Sequence, residues 1–124
     1  MAKILIVDDD PDVVQAGKLV LEKAGHQVSS ALSKDEGMAA VRSFKPDLLI
    51  LDVMMQLPDD GISMAQKLRR DGFQKPILML TNVGRASGLA IGKDAELVPV
   101  DEYQEKPIKP DVLVMKVGEL LGRK

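Results

Sequence analysis

The sequence predicts an α/β domain: a parallel sheet of five strands with helices on both faces. Three observations predict it. First, the apolar runs at 4–7, 48–51 and 76–80 lack the polar alternation of a half-exposed strand, so both of their faces must be covered. Second, segments with helical apolar spacing and helix-start residues lie between these runs. Third, strand and helix alternate along all 124 residues, a pattern that folds as a parallel sheet with right-handed crossovers. A chain of this length makes one domain, 1–124, with a core that needs no staples.

Each element has its own local reason. The run Ile4, Leu5, Ile6, Val7 is a short buried strand that ends abruptly in Asp8, Asp9 and Asp10. Asp10 can cap a helix and Pro11 fits its first position. Val13, Gly17, Val20, Leu21 and Ala24 then recur at helical spacing, and Gly25 stops the helix. Residues 27–31 form a weaker, flanking strand. Ser33 followed by Glu36 is a capping box for a second helix, with Gly37, Ala40, Val41 and Phe44 on its apolar stripe. Lys45, Pro46 and Asp47 turn the chain into the next strand, which ends at Asp52.

A loop from Val53 to Gly61 follows, then a third helix marked by Ile62, Ala65 and Leu68 and stopped at Gly72. The strand at 76–80 ends at Thr81. Residues 82–100 are the least regular stretch, because Gly84, Gly88 and Gly92 would each weaken a helix by roughly 1 kcal/mol relative to Ala. A short strand is expected at 102–105, with Lys106 and Pro107 after it. Pro110 and Asp111 open a last helix that buries Leu113, Val117, Leu120 and Leu121. Five strands in a domain of this size fit the flavodoxin-like order 2-1-3-4-5. The ends of the first and third strands then form the switch-point crevice where such sheets bind ligands.

Composition narrows the function. Apolar residues make up 45% and charged residues 29%, an ordinary globular balance. The net charge of −2 and pI near 5.4 do not suggest a nucleic-acid surface. Only Phe44, Phe73 and Tyr103 are aromatic, which argues against base stacking. There is no Cys for disulfide or thiol chemistry. The lone His26 has no second His with which to share a metal and is expected at the surface. No apolar run is long enough to span a membrane, and Met1, Ala2 and Lys3 lead straight into a strand with no room for a signal peptide. A cytoplasmic location is expected.

The chemistry is expected at one rim. The carboxyl ends of the strands carry Asp8 and Asp9, Asp52, Thr81 and Lys106, in chain order. Crowded carboxylates repel one another, and a hard divalent cation with oxygen ligands relieves that repulsion; Mg²⁺ suits such a set together with waters and a phosphate. A hydroxyl and an ammonium beside it can bind phosphoryl oxygens, and an Asp can accept a phosphoryl group. Taken singly, each residue has an ordinary explanation as a helix cap, a turn residue or a solvated charge.

The runs Ile-Leu-Ile-Val-Asp-Asp-Asp, Leu-Leu-Ile-Leu-Asp-Val-Met-Met, Leu-Thr and Glu-Lys-Pro-Ile resemble the receiver domain of two-component response regulators along the whole chain. The resemblance implies that Asp52 is the phosphoacceptor. It implies Asp9 as the direct Mg²⁺ ligand, Asp8 acting largely through water, and the Met54 carbonyl completing the protein ligands. Thr81 and Lys106 would bind the phosphoryl oxygens, a cis peptide would join Lys106 and Pro107, and Tyr103 would be the aromatic switch residue paired with Thr81. The implied partners are a sensor histidine kinase or phosphotransfer protein and an unknown output domain or protein, with no membrane contact and no direct nucleic-acid binding by this domain. The signal would leave through the family's fourth helix, fifth strand and fifth helix. A receiver catalyses its own phosphorylation and dephosphorylation but is not a metabolic enzyme.

Two stretches depart from the family pattern. Gln56 and Leu57 intervene before Pro58, so Gly61 stands one residue later than in the family. Asn82 replaces the usual Ala, and residues 92–99 replace the customary Gly-Ala-Asp. A Mg²⁺-dependent phosphatase with an Asp nucleophile is an alternative, but its second Asp would fall at Met54. A flavodoxin-like FMN module is another, but the first strand exits without a Ser/Thr/Gly-rich phosphate loop.

Overall fold

The computed structural model describes residues 2–52, 60–82, 102–106 and 109–122; at 60, 81, 82, 103, 105 and 106 it describes the backbone alone. The elements are β1 (Lys3–Val7), α1 (Pro11–Lys23), β2 (Gln27–Ala31), α2 (Lys34–Phe44), β3 (Leu48–Asp52), α3 (Asp60–Arg70), β4 (Ile77–Asn82), β5 (Glu102–Lys106) and α4 (Pro110–Gly122). The strands form one parallel sheet in the order β2-β1-β3-β4-β5, as expected from the alternation. The irregular stretch 83–101, and with it any helix there, lies outside the described residues, as do the loop 53–59 and the Lys106–Pro107 bond.

Strand parity divides the core into two layers. Leu5, Val7, Leu49, Leu51, Ile77 and Met79 point to the face covered by α2 and α3, with Met38, Met64 and Leu68 packed on them. Ile4, Ile6, Leu48, Ile50, Leu78 and Leu80 point to the other face, under Val14 and Leu21 of α1 and Leu113, Val117 and Leu120 of α4. Burial on both faces is why these strands read as unbroken apolar runs.

The helices begin and end for the expected reasons. Asp10 caps α1, its carboxylate accepting the Asp12 N–H at 2.9 Å, with Pro11 at the first position. Ser33 Oγ accepts the Glu36 N–H at 3.1 Å, and Glu36 reaches back to the Leu32 N–H at 2.9 Å, one residue before the cap. Gly25 and Gly72 both sit at φ +97, a conformation that L side chains rarely adopt. The flanking bonds, His26 N–H to Leu21 O at 3.1 Å and Phe73 N–H to Leu68 O at 2.9 Å, close the helix ends in the Schellman manner.

Some details differ from the sequence reading. The buried residue in the first turn of α1 is Val14, not Val13, and Ala24 is exposed. Val14 lies seven residues before Leu21, so the two share one helical stripe. In α3 the fully buried residues include Met64, which the spacing did not single out, while Ile62 is only half-buried. β4 runs on through Thr81 and Asn82, and β5 includes Lys106. Pro76 stays outside β4 because it has no N–H to donate, yet its carbonyl accepts the Leu49 N–H at 3.0 Å. His26 is half-buried, and its Nδ1 accepts the Ala2 N–H at 3.2 Å.

Candidate functional site

Register alone brings two of the acids together. Val7 pairs with Leu51, so one residue further on Asp8 and Asp52 stand side by side at the ends of the two central strands. Both continue the parity of Ile6 and Ile50. Asp9 leads out toward α1 and remains exposed, whereas Asp8 and Asp52 are only 1% and 4% exposed. One carboxylate oxygen from each of Asp8, Asp9 and Asp52 lies within 4.8 Å of the others.

The local chain holds this arrangement. The Asp8 N–H donates to Ala31 O at 3.1 Å, which continues the β1–β2 ladder past the end of the strand. The Asp10 N–H donates to Asp8 Oδ1 at 3.0 Å and fixes that carboxylate as the chain turns into α1. Among the described residues no buried side-chain nitrogen or oxygen lacks a partner. Two negative charges within 4.8 Å of one another repel by at least about 3.5 kcal/mol at an effective dielectric near 20, a repulsion that a cation relieves. The cluster's donors are all carboxylate oxygens, the kind of set that hard divalent ions take.

The same rim receives the ends of the next strands. Asp52 pairs with Leu80, Thr81 with Glu105, and Asn82 with Lys106. The backbone of Thr81 is thus one step past the level of Asp52, and that of Lys106 one step further. Tyr103 lies nearer the middle of β5, paired with Met79. Met54 lies outside the described residues. The sequence reading missed a further contact across this rim. Lys34 Nζ donates to Ser63 Oγ at 2.9 Å and ties the first turn of α2 to that of α3. Neither residue stands out in the sequence, since a charged residue opening a helix is ordinary.

A parallel 2-1-3-4-5 sheet with an acidic cluster at the ends of β1 and β3 defines a class of signalling domain, and the family match agrees. The model for the response regulator receiver domain matches residues 4–118, and the chain belongs to that family. It is 36% identical to the DNA-binding dual master transcriptional regulator RpaA of Synechocystis over 99% of this chain and 50% of that protein. It is also 36% identical to the alkaline phosphatase synthesis transcriptional regulatory protein PhoP of Bacillus subtilis, over 98% of this chain and 49% of PhoP. The chain therefore spans about half the length of these curated relatives. The crystal structure of the chemotaxis protein CheY4 of Vibrio cholerae superposes with a TM-score of 0.85 at 26% identity, covering 97% of this chain and 98% of that one.

Proposed function

We propose that the 124 residues form a single receiver domain and that Asp52 accepts a phosphoryl group from a histidine kinase or phosphotransfer protein. The observation that carries this reading is the placement of Asp52: buried, ending a central strand, and within 4.8 Å of Asp8 and Asp9. A carboxylate oxygen of Asp52 attacks the phosphorus, the bond to the donor breaks, and an acyl phosphate forms on Asp52. Asp8, Asp9 and Asp52, with the Met54 carbonyl, would hold Mg²⁺, Asp9 directly and Asp8 largely through water. Bound there, the ion would supply positive charge opposite the phosphoryl oxygens. Thr81 and Lys106 would hydrogen-bond those oxygens, and the pull on Thr81 and Tyr103 would bias the 82–100 segment, β5 and α4 between two arrangements.

Among the described residues no helix is long and apolar enough to cross a membrane, and we place the domain in the cytoplasm. By analogy with relatives about twice its length, it would serve an output domain or a separate output protein. Incubation with a small phosphodonor and Mg²⁺ should add one phosphoryl group, read by intact mass. Asp52→Asn should block it. Equal labelling of wild type and variant would refute the assignment.

A further inference from the structure

The charges of this molecule are sorted by the topology. Asp8, Asp9, Asp10, Asp12, Asp35 and Glu36 stand at the rim where the strands end and the helices begin. Each helix returns antiparallel to the strands, so the last turns of α2 and α3 lie at the opposite end of the sheet, beside the first residue of β1 and the entry to β4. That end of the molecule carries Lys3, Lys23 at the end of α1, Arg42, Lys45, Lys67, Arg70 and Lys75, all exposed but Lys75, which is half-buried.

Helix ends attract cations, because the last carbonyls carry partial negative charge. That accounts for part of this pole, since α1, α2 and α3 carry Lys23, Arg42, Lys67, Arg69 and Arg70 in their last turns, but not for all of it. Arg69 already serves the end of α3, donating to Phe73 O and Lys75 O at 2.8 Å each and lying over the Phe73 ring. Lys3 and Lys75 lie outside the helices and their caps. The acids at this end are Glu22 and Glu119 in the last turns of α1 and α4, Asp47, whose carboxylate accepts the Lys3 N–H at 2.9 Å, and Asp71, so the cations outnumber them. No ion pair among the described residues engages Arg42, Lys45, Lys67, Arg70 or Lys75.

We propose that this basic pole is a docking surface for the phosphodiester backbone of nucleic acid, at the far end of the molecule from Asp52. The partner follows from the chemistry of the surface. Its two aromatic rings, Phe44 and Phe73, are half-buried and covered by Lys3 and Arg69. Without a free apolar centre the pole does not suit a folded protein, whose interfaces carry an apolar core, and it has no ring to stack on a base. It suits regularly spaced phosphates, which Lys and Arg contact without reading sequence. The net charge of −2 conceals this surface, because Asp8, Asp9, Asp10, Asp12, Asp35 and Glu36 offset it at the other pole. Contact at this pole leaves the rim open to a phosphodonor, so the proposal stands apart from the assignment of Asp52.

The test uses the 124-residue protein and a short fluorescent DNA duplex of mixed sequence, with binding read by anisotropy at low salt. Weak binding is expected. If about three phosphates are contacted, affinity falls roughly 40-fold between about 50 and 200 mM salt. The double variant Lys67→Glu with Arg70→Glu should lose at least tenfold in affinity. Lys18→Glu with Lys109→Glu makes the same charge change away from this pole, in the middle of α1 and at the rim end of α4, and should bind within about twofold of wild type. All three proteins should take phosphate at Asp52 alike, which keeps failure here distinct from failure of the receiver assignment. The proposal is overturned by no binding at low salt or by equal loss in both double variants. Polyglutamate displacing the duplex at equal charge concentration would also overturn it, by pointing to an acidic protein.

Discussion

Gly37 gives the sharpest test of how the fold supports the rim. It lies in the first turns of α2, and a Cβ there would stand 2.9 Å from Met64 Cε and 3.0 Å from both Val7 Cγ1 and Cγ2. The Met64 methyl is the end of a flexible chain and can swing away. Val7 cannot do so as easily, because it is β-branched, fully buried and held in a central strand. Overpacking of this kind costs about 1 to 3 kcal/mol, and replacing Gly by Ala in a helix returns about 1 kcal/mol. Gly37→Ala should therefore destabilise by about 1 kcal/mol, or about 4 °C in Tm for a domain of this size. Gly17 on α1 is the internal control. Its added Cβ would meet only Ile6 Cδ1, at 3.1 Å, a terminal methyl that can rotate. Gly17→Ala should be neutral or stabilising by up to about 1 kcal/mol. Urea unfolding of both variants measures the contrast. Adding Val7→Ala makes room, so Gly37→Ala should cost less in that background than in wild type. If Gly37→Ala is as stable as wild type, or Gly17→Ala loses more, the packing argument is wrong.

Three further predictions concern charge and turnover. Asp52→Asn removes one charge from the crowded set and should raise stability in chelator by about 1 kcal/mol, well below the pairwise repulsion because Asp9 is exposed and screened. Mg²⁺ should then stabilise the variant less than wild type, and equal stabilisation of both would place the metal elsewhere. Burial, and then the charge of the chain's amino terminus, lower the His26 pKa from 6.5. The neutral ring is thus the form that the fold favours. Its contribution is fully present above about pH 6.5 and is lost as pH falls through the lowered value. Wild type should lose more stability than His26→Asn between about pH 7.5 and 5.5, and parallel denaturation curves would count against this. Finally, Met54 and Val83, two residues past Asp52 and Thr81, are apolar and cannot orient an attacking water. The phosphorylated state should therefore be long-lived, and Met54→Asn with Val83→Glu should speed its decay; loss within seconds in wild type would refute this.

The fold was legible because local signals and patterning agreed. Asp10 with Pro11, Ser33 with Glu36, and the glycines at 25 and 72 mark helix ends through backbone chemistry that any sequence must obey. The apolar runs mark the covered strands. The phase of α1 was less legible, because Val13 and Val14 are chemically equivalent and only the packing chooses between them. The β4 boundary was read short because Thr81 and Asn82 look like turn residues, whereas pairing with β5 extends the strand through both. The Lys34–Ser63 contact was not legible, since it depends on how two helices sit across the sheet. At the site, Asp8, Asp9 and Asp52 were found by asking which residues end the strands, and the register of β1 on β3 brings them together.

The same topology helps explain how a cluster of buried acids is tolerated. In a right-handed βαβ fold every helix starts at the end where the strands finish. The partly positive amino ends of α1 and α2 therefore lie at the rim that holds Asp8, Asp9 and Asp52. Asp12, Asp35 and Glu36 occupy the first turns of those helices, where negative charge is favoured. The Asp10 N–H, at the entry to α1, donates directly to Asp8. Each such interaction is modest, about 0.3 to 1 kcal/mol near the surface, and several of them converge on this one rim. They favour negative charge there, and so help the fold keep three carboxylates close enough together that they could hold a metal ion.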